Sequence, residues 1–267
     1  MLVQELSKPP EQRVEWLFFF DADTIILNPN IPLSAFLPPD VAPDAASKSE
    51  FNSSSIHFLP NADGGGINIG TFFLRVHPWS LAFLLRVLEL PHVRPELKIE
   101  ESWNTEQNAY KHAAAEADHR EHIRYIPRHW INAYEVNRAD SEESIFDGLT
   151  GDLLVHFPGL RADTRRAHMD AWFEELENHP AKWRVPFKET TIEAETKAYW
   201  YSLAVAEHVL QRLSKTLDTK LIAGGSDRET VGRLDTAMKE LQSVIWGKAN
   251  DWNAITKLTE DVQAYTE

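Results

Sequence analysis

Apolar residues change their spacing along the chain, and the change divides it. Residues 16–20 (WLFFF) lack polar alternation, as do 72–74 and 153–155. That is the pattern of strands covered on both faces, and it makes 16–20 most naturally a central strand of an α/β sheet. Residues 55–59, 123–126 and 130–134 read as further short strands or extended stretches. Residues 1–7 resemble the last turns of a helix, and 31–39 a helical turn closed by prolines. Residues 40–55, rich in Ala, Ser, Asp and Pro, read as a solvated loop.

Helical spacing follows. His77-Pro78 starts a helix with Trp79, Phe83, Leu84, Val87 and Leu88 on one face. Residues 103–117 form a second, capped by Asn104 or Thr105, and 161–176 a third. From residue 189 onward only helical periodicity remains. Ile192, Tyr199, Leu203, Ala206, Val209 and Leu213 form one stripe, Val231, Leu234, Met238, Leu241 and Ile245 another, and Trp252, Ile255, Leu258 and Val262 a third. The pattern predicts an α/β domain over 1–187 and an all-helical extension over 188–267.

Composition narrows the function. With 267 residues and 43% hydrophobic content the chain can bury a full core. A net charge of -14 argues against nucleic acid as a partner, since phosphate backbones need a basic footprint. There is no cysteine, so thiolate catalysis and zinc-thiolate sites are excluded. No apolar run reaches the length of a bilayer span, and residues 1–8 lack the plan of a signal peptide. Asn52-Ser53-Ser54 matches a glycosylation acceptor, a motif that also arises by chance.

The candidate chemistry begins at Asp21 and Asp23, which follow the first apolar run. In extended chain both carboxylates point to one side, at the strand edge where α/β proteins bind ligands. Two convergent oxygens suit a hard divalent cation. The same pattern also fits acids that solvate a strand end, or the nucleophile and acid of a haloacid-dehalogenase-like phosphatase, in which Asp21 would carry the phosphoryl group. That phosphatase also needs a second acidic pair. Gly151-Asp152 is present, but 153–156 has no further acid.

Gly64, Gly65 and Gly66 allow close backbone approach, and Asn68 and Gly70 are expected at a turn entering a strand. Glu106 and Gln107 fall in the first turn of the second helix. They can reach a ligand there, or Glu106 can simply answer the helix dipole. His156 ends the apolar run 153–155, where a histidine is either a satisfied core residue or a ligand.

Taken in order, DADTIILNP, INIGTFFLR, TEQNA and HFPGLR resemble glycosyltransferase family 34, the galactosyl-, α-1,6-mannosyl- and xylosyltransferases of fungi and plants, over residues 10–176. The resemblance implies a GT-A fold with a Rossmann-like core, and transfer from a nucleotide diphosphate sugar to a glycan acceptor with retention, using manganese. It makes Asp21, Asp23 and His156 the metal ligands. Asn68, Gly70 and Gly159 would lie at the substrate, and Arg161 would steady the phosphates. Glu106 would bind sugar hydroxyls, and Gln107 would orient the sugar or stabilise its oxocarbenium-like state. Asn108 stands where some fungal members have an aspartate. The family's nucleotide-binding βαβ region and membrane anchor would precede these motifs, so the expected domain is N-terminally truncated. That leaves a third reading open, a noncatalytic partner of related transferases binding through its helical tail. Family members work in the Golgi.

Overall fold

The computed structural model describes residues 1–39, 52–101, 105–137, 144–222, 228–246 and 252–263, and seven strands among them form two sheets. The first sheet has the order β1-β4-β3, from β1 (Trp16–Phe20), β3 (Phe58–Asp63) and β4 (Gly66–Arg75), with both pairings antiparallel. The second has the order β2-β7-β5-β6, from β2 (Thr24–Ile26), β5 (Ala133–Asn137), β6 (Ser144–Phe146) and β7 (Leu154–His156). Within it β5 and β7 run parallel and the other pairs antiparallel. The chain is therefore mixed α/β, as its spacing predicts.

Helices cover both faces of the first sheet. On one side α2 (Pro78–Val93) and α3 (Thr105–Ala115) bury Phe83, Val87, Leu90, Ala109 and Tyr110 against Phe58, Phe72 and Leu74. α1 (Leu2–Leu6) adds Leu2 to that core. On the other side Phe73 and Leu59 meet Trp130, Tyr199, Leu203 and Val209. Two helical turns, α4 (Ala117–Arg120) and α5 (Arg128–Ile131), lie between α3 and β5. Against the second sheet, α6 (Ala162–Asn178) and α7 (Pro180–Trp183) pack Met169, Trp172, Leu176 and Trp183 on Ile25, Val155 and Phe157.

Several expectations shift in detail. β1 is an edge strand among the described residues, not a central one. Phe18 stacks on Phe73 with ring centroids 4.6 Å apart and Phe19 on Phe72 at 4.8 Å, so both faces are partly covered. Phe19 nevertheless stays 46% exposed and Phe20 48%. An apolar run reports coverage of a sheet's faces but not lateral position, and the strand with a neighbour on each side is β4. Leu88, expected on the inner face of α2, is exposed, and Leu90 is buried instead. The helix is started as expected, with Pro78 in its first turn and the His77 side chain accepting the Trp79 N–H. At 123–126 only a bridge from Ile123 to Phe58 forms, although Arg124 and Ile126 donate their N–H groups to the Phe58 and Pro60 carbonyls. Most of the loop expected at 40–55 lies outside the described residues, as do Trp103 and Asn104.

The helical stripes beyond residue 189 become α8 (Ile192–Ile222), α9 (Arg228–Trp246) and α10 (Trp252–Gln263). Their apolar sides join the core beneath the first sheet. Polar contacts fix α8 in place: the Tyr199 hydroxyl donates to the Tyr125 carbonyl, Trp130 Nε1–H to Glu195, and Arg124 pairs with Glu207 at 2.6 Å. No described helix is long and apolar enough to cross a membrane.

Candidate active site

The two sheets meet at Asp21-Ala22-Asp23. Asp21 N–H donates to the Gly70 carbonyl of β4 at 2.8 Å, which ties it to the first sheet. Asp23 carbonyl accepts the Phe157 N–H at 3.0 Å, which ties it to the second. The aspartates therefore lie on a turn between sheets rather than along one extended strand. Their convergence is a tertiary result. Thr24 is opposite His156 in the β2–β7 register, so the imidazole arrives beside Asp23. His156 Nε2 is 3.3 Å from Asp23 Oδ1 and 4.0 Å from Asp21 Oδ2. One ligand atom from each of the three residues lies within 4.8 Å of the other two.

The electrostatics of this corner favour a cation. Burial, then Asp23 and then Glu106 push the Asp21 carboxyl above the usual carboxylate range, against an opposing pull from Arg165. Burial holds His156 below the ordinary histidine value, while Asp23 acts in the other direction. A neutral imidazole is the form that ligates metal. Two carboxylates and an imidazole are a donor set that manganese accepts, so the residues present fit such an ion.

The triad opens into a cleft of about 1100 Å³, also lined by Asn68, Gly70, Glu106, Gln107 and Gly159. Asn68 and Gly70 lie inside β4, not in a turn. The turn is at Gly64-Gly65, where Asp63 Oδ1 accepts the Gly65 N–H at 2.8 Å. Gly70 is there because His156 leaves no room: a Cβ would sit 2.4 Å from His156 Cε1. Gly159, at φ 73°, adopts the left-handed conformation that glycine tolerates. Glu106 and Gln107 occupy the first turn of α3. Arg161 is not among the cleft-lining residues. Its side chain is 84% exposed and pairs with Asp163 at 3.3 Å.

The cation beside the triad is instead Arg165, one helical turn further along α6. Its Nη1 is 3.2 Å from Asp23 Oδ2, its Nη2 donates to the Leu160 carbonyl, and its buried Nε has no hydrogen-bond partner among the described residues. The spacing of four from Arg161 could have pointed to it. Asn132 and Tyr134 also join the site, with no motif in the sequence to mark them. His156 Nδ1 is 2.7 Å from Asn132 Oδ1, and the Tyr134 hydroxyl donates to Asp63 Oδ2 at 3.0 Å. Their i, i+2 spacing on an extended stretch was the available signal. Asp152, weighed above for a phosphatase, is buried in a turn and accepts the Leu149 N–H at 2.7 Å, away from the cleft lining.

Residues 1–167 match the galactosyl transferase GMA12/MNN10 family. The chain belongs to this glycosyltransferase family. An alpha-1,2-galactosyltransferase of Schizosaccharomyces pombe is 24% identical to this family member over 185 residues, covering 60% of this chain and 44% of that protein. The family member thus matches less than half the length of that relative. No solved structure matches it. The match spans β1 to β7 and the start of α6, so every cleft residue named above lies within it.

Proposed function

We propose that this chain forms the metal and donor-sugar site of a retaining, manganese-dependent glycosyltransferase of GT-A type. It would move a hexose or pentose from a UDP- or GDP-linked sugar to a glycan acceptor in α linkage. The observation that carries this reading is the convergence of Asp21, Asp23 and His156 in a cleft that also presents Glu106 and Gln107. Asp21, Asp23 and His156 would hold the divalent cation, which when bound would neutralise charge on the departing nucleotide diphosphate.

The remaining roles belong to the chain's own groups. Arg165 offers its guanidinium to the same phosphates, and Arg161 can join only by leaving Asp163. Glu106 accepts hydrogen bonds from sugar hydroxyls, and Gln107 orients the ring and stabilises positive charge developing at the anomeric carbon. Asn68, Gly70 and Gly159 shape the wall against which the sugar rests. Retention fits front-face transfer, in which the leaving phosphate oxygen takes the acceptor proton. The name of the fission-yeast relative makes galactose the first sugar to test. The reading assigns residues 1–187 to the transferase body and 188–267 to a helical extension whose outer faces are open to a protein partner. It also places the protein's work in the Golgi lumen.

Calorimetric titration of the purified chain with UDP and GDP, with and without manganese, tests the proposal. Manganese-dependent binding that disappears in an Asp21→Ala, Asp23→Ala variant is the expected outcome, with the preferred base narrowing the donor. An intact, folded chain that binds neither nucleotide would overturn it in favour of a noncatalytic partner.

A further inference from the structure

Behind His156 lies a closed set of side-chain amides whose polarity is dictated by the backbone. Asn68 Oδ1 accepts the Gly70 N–H at 2.9 Å, and a main-chain N–H can only donate, so the oxygen of that amide must be there. Asn61 Nδ2 donates to the Thr71 carbonyl at 2.8 Å, and a main-chain carbonyl can only accept, so its Oδ1 must face the other way. Both amide oxygens, of Asn61 at 2.8 Å and Asn68 at 3.0 Å, converge on Asn132 Nδ2. The Asn132 amide is thereby oriented. Its reversal would set its oxygen against two other oxygens in a buried site, where an unmatched polar group costs about 1–3 kcal/mol.

Asn132 Oδ1 consequently faces His156 Nδ1 at 2.7 Å, and only an N–H can answer it. Asn61, Asn68, Asn132 and His156 are all buried. Water therefore does not readily substitute for any link. In neutral imidazole a proton on Nδ1 leaves Nε2 bare, and Nε2 is the atom facing Asp21 and Asp23.

We propose that Asn132 is a positioning residue that locks His156 in the Nδ1–H tautomer, so that a lone pair already points at the two carboxylates before a cation binds. Without this lock the competing tautomer is favoured, because an Nε2–H could donate to Asp23 Oδ1 and close the site on itself. Bonds to Gly70 and Thr71 thus make β4 the origin of the order, and the Asn-x-Gly of that strand serves the histidine as well as the cleft. The relevance to cation binding rests on the function proposed above; the tautomer itself does not.

The test is nitrogen-15 NMR of the metal-free chain with labelled histidine at pH 8, where the two ring nitrogens of neutral His156 are distinguished by their shifts, paired with manganese titration followed by electron paramagnetic resonance. The expected result is a single Nδ1–H tautomer in the parent. In Asn132→Leu the Nε2–H form gains population and manganese affinity falls about 10–100-fold, the range for lost outer partners of metal-bound histidines. Asn132→Gln, which keeps both an acceptor for Nδ1 and a donor for the Asn61 and Asn68 oxygens, should restore part of the Nδ1–H population, a recovery that a merely structural role would not produce. A parent spectrum showing the Nε2–H tautomer overturns the inference even if both variants fail to fold. A parent locked as Nδ1–H that binds no manganese supports the inference and overturns the metal reading instead.

Discussion

At the residue scale, Gly70 shows how tightly the candidate site is drawn. It serves β4 through its backbone, pins Asp21 through its carbonyl, and allows the His156 ring to lie against its Cα. Gly70→Ala puts a methyl group into the imidazole, and overpacking of this kind costs about 1–3 kcal/mol. The rest of β4 is held by its two neighbours, so the ring is what yields. The expected outcome is a chain that still folds, with a modestly lower urea midpoint, but binds manganese at least about 10-fold more weakly. Paramagnetic resonance of free manganese reads this directly, and parental affinity in the variant would show that the ring is not held where Gly70 meets it.

At the scale of elements, the question is what keeps α8 on the sheet. Its apolar stripe is in the core, and among its polar contacts is the Arg124–Glu207 ion pair, whose side chains are only 6% and 17% exposed. Arg124 also donates to the carbonyls of Glu121 and Ile123, so it is fixed from both sides. Removing one partner of a buried pair leaves an uncompensated charge and costs about 3–5 kcal/mol. Glu207→Ala should therefore lower unfolding stability by about 3 kcal/mol, measured by urea denaturation, whereas the double variant Arg124→Met, Glu207→Leu should recover most of the loss. Equal stability of Glu207→Ala and the parent would mean that this pair does not seat the helix, leaving apolar packing and the Glu195 and Tyr199 contacts to do so.

The scale of the whole molecule is where acid sensitivity belongs. His57 is buried where β3, β4 and the turn before Ile123 meet, stacked between His77 at 4.0 Å and His122 at 5.0 Å. Burial, then the neighbouring His77, His122 and Arg75, push its pKa from the ordinary 6.5 down to about 3. A depressed histidine stays neutral when folded and takes a proton when unfolded. Its contribution is thus fully present above pH 6.5 and is lost as pH falls toward 3. At 1.36 kcal/mol per pKa unit the loss between pH 7 and pH 5 is about 2 kcal/mol. His57 Nδ1 has no hydrogen-bond partner among the described residues, so His57→Leu orphans nothing at that atom. Urea unfolding across this range should show a shallower decline in the variant by about that amount. Parallel slopes would place the acid sensitivity elsewhere, among the carboxylates behind the net charge of -14.

The sequence by itself determined the α/β class, the three helices after residue 189, the start of α2, and the order of four motifs that identify the family. These are local properties: periodicity reports which faces are covered, and a motif keeps its spacing whatever surrounds it. What it could not decide is lateral. The run 16–20 looks alike at the centre or edge of a sheet, because its faces are covered in either place. Nor could it decide which cation meets the aspartates, since Arg161 and Arg165 differ only in which helical turn approaches Asp23. The triad itself joins residues more than a hundred positions apart, and its convergence depends on a turn between two sheets and on the register of β2 with β7. The orientation of the His156 ring depends on amides from three strands or their flanks, each set by a backbone group that only the folded chain brings within reach.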